Sequence, residues 1–240
     1  MADDALSALR ASLAERCAEL RGVAAEELPD ALLDVVVQRF DVSSSSLVLI
    51  SPREWEQLRH EEGAAGRGVP YWARPWPSGL ALAASLVDVP VAAGARVLEL
   101  GCGLGAPSVV AARSGASVLA TDGVGDAVAF AAHALALNEV VADVAVVDWA
   151  AHGEALVAQG PFDVLLAADV LYTRANVEVA LRLWPRLLKP DGVLRLADPR
   201  RAGTRDFLAA ARGTFGVVSE DVGEDGVALH VLRPRVRGGA

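Results

Sequence analysis

The stretch Val97-Leu98-Glu99-Leu100-Gly101-Cys102-Gly103-Leu104-Gly105 decides the fold of this chain. It begins as a short apolar run and ends in three glycines, just before a second apolar segment. This pattern predicts a buried strand that turns sharply into a helix, with glycines that let the backbone approach a ligand at the helix N-terminus. The stretch therefore predicts an α/β fold with a ligand-binding loop.

The chain after this loop alternates short apolar runs with longer helical patterns. The runs are rich in β-branched residues or leucine and lack polar alternation, which is typical of parallel strands buried on both faces. The last two runs are joined by an acidic, glycine-containing turn, Glu220 to Gly226, which predicts an antiparallel pair. We therefore predict a Rossmann-like, doubly wound sheet of seven mostly parallel strands, at residues 95–100, 117–121, 143–147, 162–168, 192–197, 213–219 and 227–232.

Residues 1–69 are predicted to form an N-terminal helical extension and a loop. Apolar residues recur every three or four positions from Leu6 to Leu20 and again from Leu28 to Phe40, which predicts two helices. The serine run 43–46 is typical of a linker. The glycine-rich, charged segment 60–70 predicts a loop that could cover a site.

Composition limits the possible classes of function. The 240 residues are 53% hydrophobic, enough for a sizeable core, and no apolar run reaches the roughly 18 residues of a membrane span. The net charge of -9 repels phosphate backbones, so we expect no nucleic acid partner. The start of the chain is acidic and lacks an apolar signal segment, while Cys17 and Cys102 show no metal-ligand or disulfide spacing. We expect a cytoplasmic protein with no metal site and no membrane partner.

Asp122 follows the glycine loop at the end of the second predicted strand of the sheet. A carboxylate there can accept hydrogen bonds from the two hydroxyls of a ribose, each contributing roughly 1.5 to 3 kcal/mol. Gly101, Gly103 and Ala106 also satisfy the dinucleotide pattern G-x-G-x-x-G/A, with Asp122 about twenty residues on. The loop therefore predicts a nucleoside cofactor, either S-adenosylmethionine or a nicotinamide dinucleotide, with an ordinary strand-to-helix turn as a third interpretation.

Three further features favour the methyl donor S-adenosylmethionine. Glu99 lies two residues before the first glycine, where a carboxylate can meet a positively charged amino acid group but would repel pyrophosphate. Asp148 and Trp149 close the third strand and could bracket an adenine, although Trp149 could also be a core residue. Asp169 ends the fourth strand, where ligands bind in such sheets, unless it only caps the next helix.

The motifs also occur in the order of a known family. The stretch Pro70-Tyr71-Trp72-Ala73-Arg74-Pro75-Trp76-Pro77-Ser78-Gly79, the glycine loop, Asp148-Trp149 and Asp169-Val170-Leu171-Tyr172 resemble the seven-strand protein lysine methyltransferases. Within that family the chain is most similar to the branch that methylates the beta subunit of electron transfer flavoprotein. The similarity covers roughly residues 70 to 200, and the segment before it departs from the family's usual pattern.

The resemblance implies a methyltransferase domain at residues 70–240 and a role for each matching residue. Asp169 and Tyr172 would lie beside the target lysine as the catalytic pair. Asp198 and Arg201 match a shorter Asp-Pro-x-Arg motif and would line the substrate side. S-adenosylmethionine would be held by Trp76, Glu99, Gly101, Gly103, Gly105, Asp122 and Trp149, to which the position of Asp148 adds a further candidate.

Three alternatives to a protein lysine methyltransferase stay open. A small amine could be the acceptor, because the cofactor half of such domains is shared while the acceptor half varies. The domain could also bind S-adenosylmethionine without catalysis, as an interaction module. A nicotinamide-dependent oxidoreductase would need a hydride-transfer residue, and the sequence after the glycine loop offers no convincing histidine, tyrosine–lysine pair or metal set. We therefore expect a methyltransferase that acts on an exposed lysine of a protein.

Overall fold

The computed structural model describes residues 2–222 and 226–235, and they form an α/β fold with nine strands and nine α-helices in this part of the chain. The strands are β1 Val35–Val42, β2 Ser45–Pro52, β3 Arg96–Leu100, β4 Ser117–Asp122, β5 Asp143–Val146, β6 Phe162–Ala168, β7 Leu188–Asp198, β8 Phe215–Val222 and β9 Val227–Pro234. The helices are α1 Ala2–Arg21, α2 Asp30–Leu33, α3 Trp55–Ala64, α4 Pro77–Asp88, α5 Ala106–Arg113, α6 Gly125–Leu137, α7 Trp149–Gln159, α8 Arg174–Leu187 and α9 Ala202–Ala211.

Seven of the strands form the central sheet, in the order β5-β4-β3-β6-β7-β9-β8. Strands β3 to β7 pair in parallel, and β9 lies antiparallel between β7 and β8. The fold class and all seven predicted strands are confirmed, with small differences at their ends. The predicted turn Glu220 to Gly226 is shorter than expected, because β8 continues to Val222, and residues 223–225 lie outside the described part.

The sheet is covered on both faces, which explains why its strands read as unbroken apolar runs. Val97, Leu98 and Leu100 of β3 are all fully buried. Val97 belongs to a hydrophobic cluster with α1, α4, α5 and α6, whereas Leu98 and Leu100 belong to a second cluster with α7, α8 and α9. The strand order reverses at β3, whose neighbours are β4 and β6, so a crevice opens beyond the carboxyl ends of these strands.

The second predicted helix is wrong. Residues 28–40 contain only the one-turn helix α2, after which Val35–Val42 and Ser45–Pro52 form an antiparallel hairpin. Ser43 has a positive φ of 53° and begins the two-residue turn, so the serine run is a tight turn and the start of a strand instead of a linker. Residues 28–40 include the β-branched residues Val35, Val36 and Val37, which pack better on a pleated strand than in a helix. The three-to-four spacing of the apolar residues in this segment was coincidental.

The N-terminal residues are bound to the sheet domain by a buried ion-pair network. Arg21 of α1 donates to Asp126 of α6 at 2.9 Å and to Glu62 of α3 at 2.8 Å, and Glu62 also binds Arg67. Because α3 continues to Ala64, the first half of the predicted loop 60–70 is helical. Apolar side chains from both sides of residue 69 share one cluster, and the division of the chain at that residue stays a prediction. No helix in residues 2–222 and 226–235 is long and apolar enough to cross a membrane.

Candidate functional site

A cavity of about 640 Å³ lies at the carboxyl ends of β3, β4, β5 and β6, under the segment between α3 and α4. This volume is within the usual range for a small-molecule site. Of the residues predicted to form the site, only Asp198 is absent from the cavity wall. The predicted residues that line it are Trp76, Glu99, Gly101, Gly103, Gly105, Asp122, Asp148, Trp149, Asp169, Tyr172 and Arg201.

The glycine loop forms one wall of the cavity and requires its glycines. Gly101 has a φ of 72°, and a Cβ placed on it would lie 2.7 Å from Cγ1 of Val170. The amides of Gly101 and Cys102 both donate to the carbonyl of Thr121 at 2.9 Å, and Gly105 donates to Cys102. These amides are therefore bound to carbonyls of β4 and of the loop itself, and they do not point at a ligand phosphate.

The N-terminus of α5 is occupied by a carboxylate of the protein itself. Glu99 is 1% exposed and accepts hydrogen bonds from both the hydroxyl and the backbone amide of Ser108. Pro107, in the first turn of α5, has no N–H to offer. A pyrophosphate at this helix terminus would find the amide of Ser108 already bound to Glu99 and the acidic side chain in the place that it needs. This arrangement disfavours a nicotinamide dinucleotide.

Two carboxyl groups at the cavity have raised pKa values. Burial raises the pKa of Glu99 to about 8, opposed by its hydrogen bonds from Ser108 and assisted by repulsion from Asp122. Burial also raises the pKa of Asp122, while backbone amides that include those of Gly103 and Val124 lower it. A cationic ligand would favour the charged forms of both groups, so the cavity suits a ligand with positive charge.

The raised pKa of Glu99 makes stability depend on pH in a defined direction. The carboxyl group keeps its proton in the folded protein up to about pH 8 but loses it near 4.5 when unfolded, so the free energy of unfolding falls as pH rises between these values. We expect Glu99→Gln to match the wild type at pH 5 and to be more stable at pH 8.5, by roughly 1.4 kcal/mol for each pH unit separating the two pKa values. Urea unfolding of both proteins across this pH range measures their free energies of unfolding. A difference between the two free energies that stays constant with pH would contradict the expectation.

Asp122 is held in place by the loop that it faces. Its Oδ2 accepts the amide of Gly103 at 3.0 Å, and its Oδ1 accepts the amide of Val124 at 3.0 Å. Each carboxylate oxygen has a second lone pair, so two hydroxyl groups can still bind. The carboxylate is therefore fixed at the end of β4, where the ribose of a nucleoside was predicted.

Asp148 and Trp149 lie beyond the end of β5. Asp148 caps α7, because its Oδ1 accepts the amide of Ala150 at 2.8 Å. The indole of Trp149 packs on Trp184, with ring centroids 5.8 Å apart, and also lines the cavity. Both residues thus line the cavity and also make contacts that hold α7 in place. Their contact with an adenine stays a prediction.

Asp169 is paired with Arg201 at the part of the cavity wall that follows β6. The guanidinium donates from Nη2 to Oδ2 of Asp169 at 2.9 Å and from Nε to Oδ1, which makes the pair bidentate. Asp169 has a positive φ of 55°, and its amide donates to the carbonyl of Ala197 on β7. It does not cap α8, since Thr173 fills that position.

Asp198 lies behind this pair and does not reach the cavity. It is fully buried, and its Oδ1 accepts the backbone amide of Arg201 at 2.6 Å. Its Oδ2 is buried without a hydrogen-bond partner among the described residues. Asp198 thus holds the backbone of Arg201 in place. Because Asp198 does not line the cavity, a direct contact with substrate is not supported by its position.

Aromatic side chains surround the mouth of the cavity. Tyr172 is 57% exposed, and its ring centroid lies 6.4 Å from that of Tyr71. The ring of Tyr71 lies 6.5 Å from that of Trp55, and its carbonyl accepts the indole N–H of Trp76 at 2.5 Å. Tyr71 and Arg74 line the cavity but were not predicted as site residues. The aromatic spacing in residues 70–76 was the signal that could have identified them.

Comparison with known proteins identifies one family whose model matches most of the central sheet and its helices. The model of a family described as methyltransferase domain matches residues 92–221, which is more than half of the chain. The electron transfer flavoprotein beta subunit lysine methyltransferase of Xenopus laevis is 33% identical over 137 residues, covering 56% of this chain and 54% of that protein. The Danio rerio protein of the same name is 56% identical over 55 residues, or 22% of this chain and 21% of that one. The chain therefore matches about half the length of the Xenopus relative.

A solved structure supports the same fold. The chain aligns with a 16S rRNA methyltransferase from T. thermophilus, solved with AdoMet and guanosine, at a TM-score of 0.65 and 20% identity. The alignment covers 88% of this chain and 53% of that one. The likeness concerns the fold alone.

Proposed function

Because this chain belongs to the methyltransferase-domain family, we propose that it transfers a methyl group from S-adenosylmethionine to the side-chain amine of a lysine in a protein. The methyltransferase domain would be residues 70–240. The lysine acceptor is supported by the names of the Xenopus and Danio relatives. A cytoplasmic location stays a prediction from the sequence.

The acidic interior of the cavity carries the cofactor proposal. Among the described residues, four carboxyl groups line it, from Glu99, Asp122, Asp148 and Asp169. Both the sulfonium and the amino group of S-adenosylmethionine are positively charged, whereas a nicotinamide dinucleotide brings two phosphate charges. Beside the first ligand Glu99 can take its charged form, whereas for the second it already occupies the donors at the N-terminus of α5 that phosphates would need. In this proposal Asp122 binds the ribose, and Trp149 with Asp148 contacts the adenine.

The Asp169–Arg201 pair supports a role in binding an amine acceptor. The bound cofactor supplies a methyl group on a sulfonium, which a neutral amine can attack in line. An ammonium with a pKa near 10.4 must first lose a proton, at a cost of roughly 4 to 5 kcal/mol at neutral pH. An unpaired carboxylate would raise this cost by favouring the ammonium form. Arg201 offsets the charge of Asp169, so the carboxylate can orient the amine by a hydrogen bond with less opposition to deprotonation.

The positions of Tyr172 and Tyr71 favour an acceptor that enters the cavity as a side chain of another protein. Both rings are more than half exposed at the mouth of the cavity, and together they form an aromatic surface on which the apolar stem of a lysine can pack. A small amine remains the second candidate acceptor, because the same opening would admit it. A module that binds the cofactor without catalysis is the third, and measured transfer separates it from the others.

A labelling experiment tests the proposal. The purified protein is incubated with radiolabelled S-adenosylmethionine and a lysate of its host, and the products are separated by size. We expect one discrete labelled protein, with the label on lysine when the band is analysed by mass spectrometry. Label confined to small molecules would replace the lysine acceptor by a small amine. Absence of label, despite measured binding of S-adenosylhomocysteine, would argue for a non-catalytic module.

A further inference from the structure

Arg74 is held between two aromatic rings at the wall of the cavity. Its guanidinium carbon lies 4.8 Å from the ring centroid of Trp76 and 5.4 Å from that of Trp55. Cation–π contacts of this kind use the flat faces of the guanidinium. The N–H groups around its edge are the donors that bind carboxylates in a bidentate manner. Arg74 is therefore held close to both rings, and stacking of this kind leaves the N–H donors free to bind a carboxylate.

Arg74 differs from the other arginine in the cavity wall because no carboxylate of the described residues pairs with it. Arg74 and Arg201 are the cationic side chains that line the cavity in residues 2–222 and 226–235. Arg201 is bound by both oxygens of Asp169. Arg74 forms no salt bridge within the described ranges, although the chain has a net charge of -9. An anionic group that enters this cavity would thus find its free cationic partner at Arg74.

The fold places Arg74 over one particular part of the site. Trp72, two residues earlier, packs on the glycine loop, and its carbonyl lies 3.5 Å from the position of a Cβ on Gly103. The cavity follows the strand order from β5 through β4 to β3 and β6. With adenine beyond β5 at Trp149 and ribose at Asp122 on β4, the amino acid end of the cofactor falls beyond β3, beneath the segment that carries Arg74.

We propose that Arg74 binds the carboxylate of the methionine part of S-adenosylmethionine. This inference rests on the proposed function and adds the residue that receives the anionic end of the cofactor. Glu99, in the charged form that a nearby cationic group favours, suits its amino group and would repel its carboxylate. Arg74 supplies the opposite charge, and Trp55 and Trp76 reduce the entropy lost when the guanidinium is fixed.

Calorimetric titration with two probes tests the role of Arg74. S-adenosylhomocysteine carries the amino acid group, while methylthioadenosine has the same nucleoside without it. We expect Arg74→Gln to weaken S-adenosylhomocysteine binding roughly 10- to 100-fold and to leave methylthioadenosine binding within about twofold. Arg74→Lys keeps the charge without the bidentate geometry and should lose less. Arg59→Gln is the matched control, because Arg59 also stacks on Trp55 but does not line the cavity, and it should change neither affinity.

The outcomes separate this inference from the proposed function. Equal loss of both probes with Arg74→Gln, or loss of neither, would overturn the role of Arg74 while the cofactor assignment stands. If the lysine variant alone could be prepared, a loss confined to S-adenosylhomocysteine would still support the role, and unchanged binding would count against it. Failure of the wild-type protein to bind S-adenosylhomocysteine would overturn the proposed function itself.

Discussion

Replacement of Asp169 with alanine is expected to reduce methyl transfer by about 10²- to 10³-fold, since the side chain proposed to orient the acceptor amine is lost. The affinity for S-adenosylhomocysteine should change by no more than about threefold, because in the proposed binding mode Asp122 and the glycine loop hold the nucleoside elsewhere in the cavity. Single-turnover rates with saturating labelled cofactor, together with calorimetric binding, measure the two effects. The pairing of Asp169 with Arg201 is the observation that motivates this expectation.

Two further variants make the Asp169 result interpretable. Asp169→Asn retains an oxygen that can accept a bond from Arg201, so it tests the carboxylate charge without removing the side chain. Asp163→Asn is the matched control, because Asp163 lies at the opposite end of the same strand, where it binds Lys189 at 2.7 Å. That variant should transfer methyl groups at the wild-type rate. Near-normal turnover by Asp169→Ala would remove Asp169 from the mechanism.

Replacement of Asp122 with alanine is expected to weaken S-adenosylhomocysteine binding by at least about 100-fold. Two charge-assisted hydrogen bonds to the ribose would be lost, at roughly 1.5 kcal/mol or more each. The amides of Gly103 and Val124, which now donate to Asp122, would also lose their acceptor, so the loop that faces the cofactor would be held less firmly. Calorimetric titration of the wild type and the variant measures the change.

The control variants for Asp122 separate a local effect from unfolding. Asp122→Asn keeps one oxygen, which can accept one of the two backbone amides, while its NH2 group is a donor and cannot accept the other. We expect it to lose roughly tenfold in affinity or more through the missing charge and the lost acceptor, but less than Asp122→Ala. Asp143→Asn lies at the start of β5, next to β4 but at the far end of the sheet from the cavity, and should bind normally. Unchanged affinity in the Asp122→Asn and Asp122→Ala proteins would refute the ribose assignment.

The N-terminal hairpin shows where interpretation of the sequence reached its limit. Residues 28–40 contain apolar positions with helical spacing and also a run of β-branched valines, and periodicity alone cannot separate a short helix from a strand. The apolar runs of the central sheet could be assigned to strands without this ambiguity. These runs are bounded by glycine, proline or polar turns and alternate with long helical patterns, so both signals agree on a doubly wound sheet.

The sequence by itself determined the sheet, the glycine loop and the residues at the strand ends, because these follow from local patterns and from the rule that ligands bind at the carboxyl ends of parallel strands. Only the tertiary structure decided which side chains pair there. Asp169 meets Arg201 from 32 residues away, and Arg74 is placed between Trp55 and Trp76 by the fold of a loop. The burial that raises the pKa of Glu99 likewise arises from packing by several elements. Such contacts depend on distances in space, which a linear pattern does not encode.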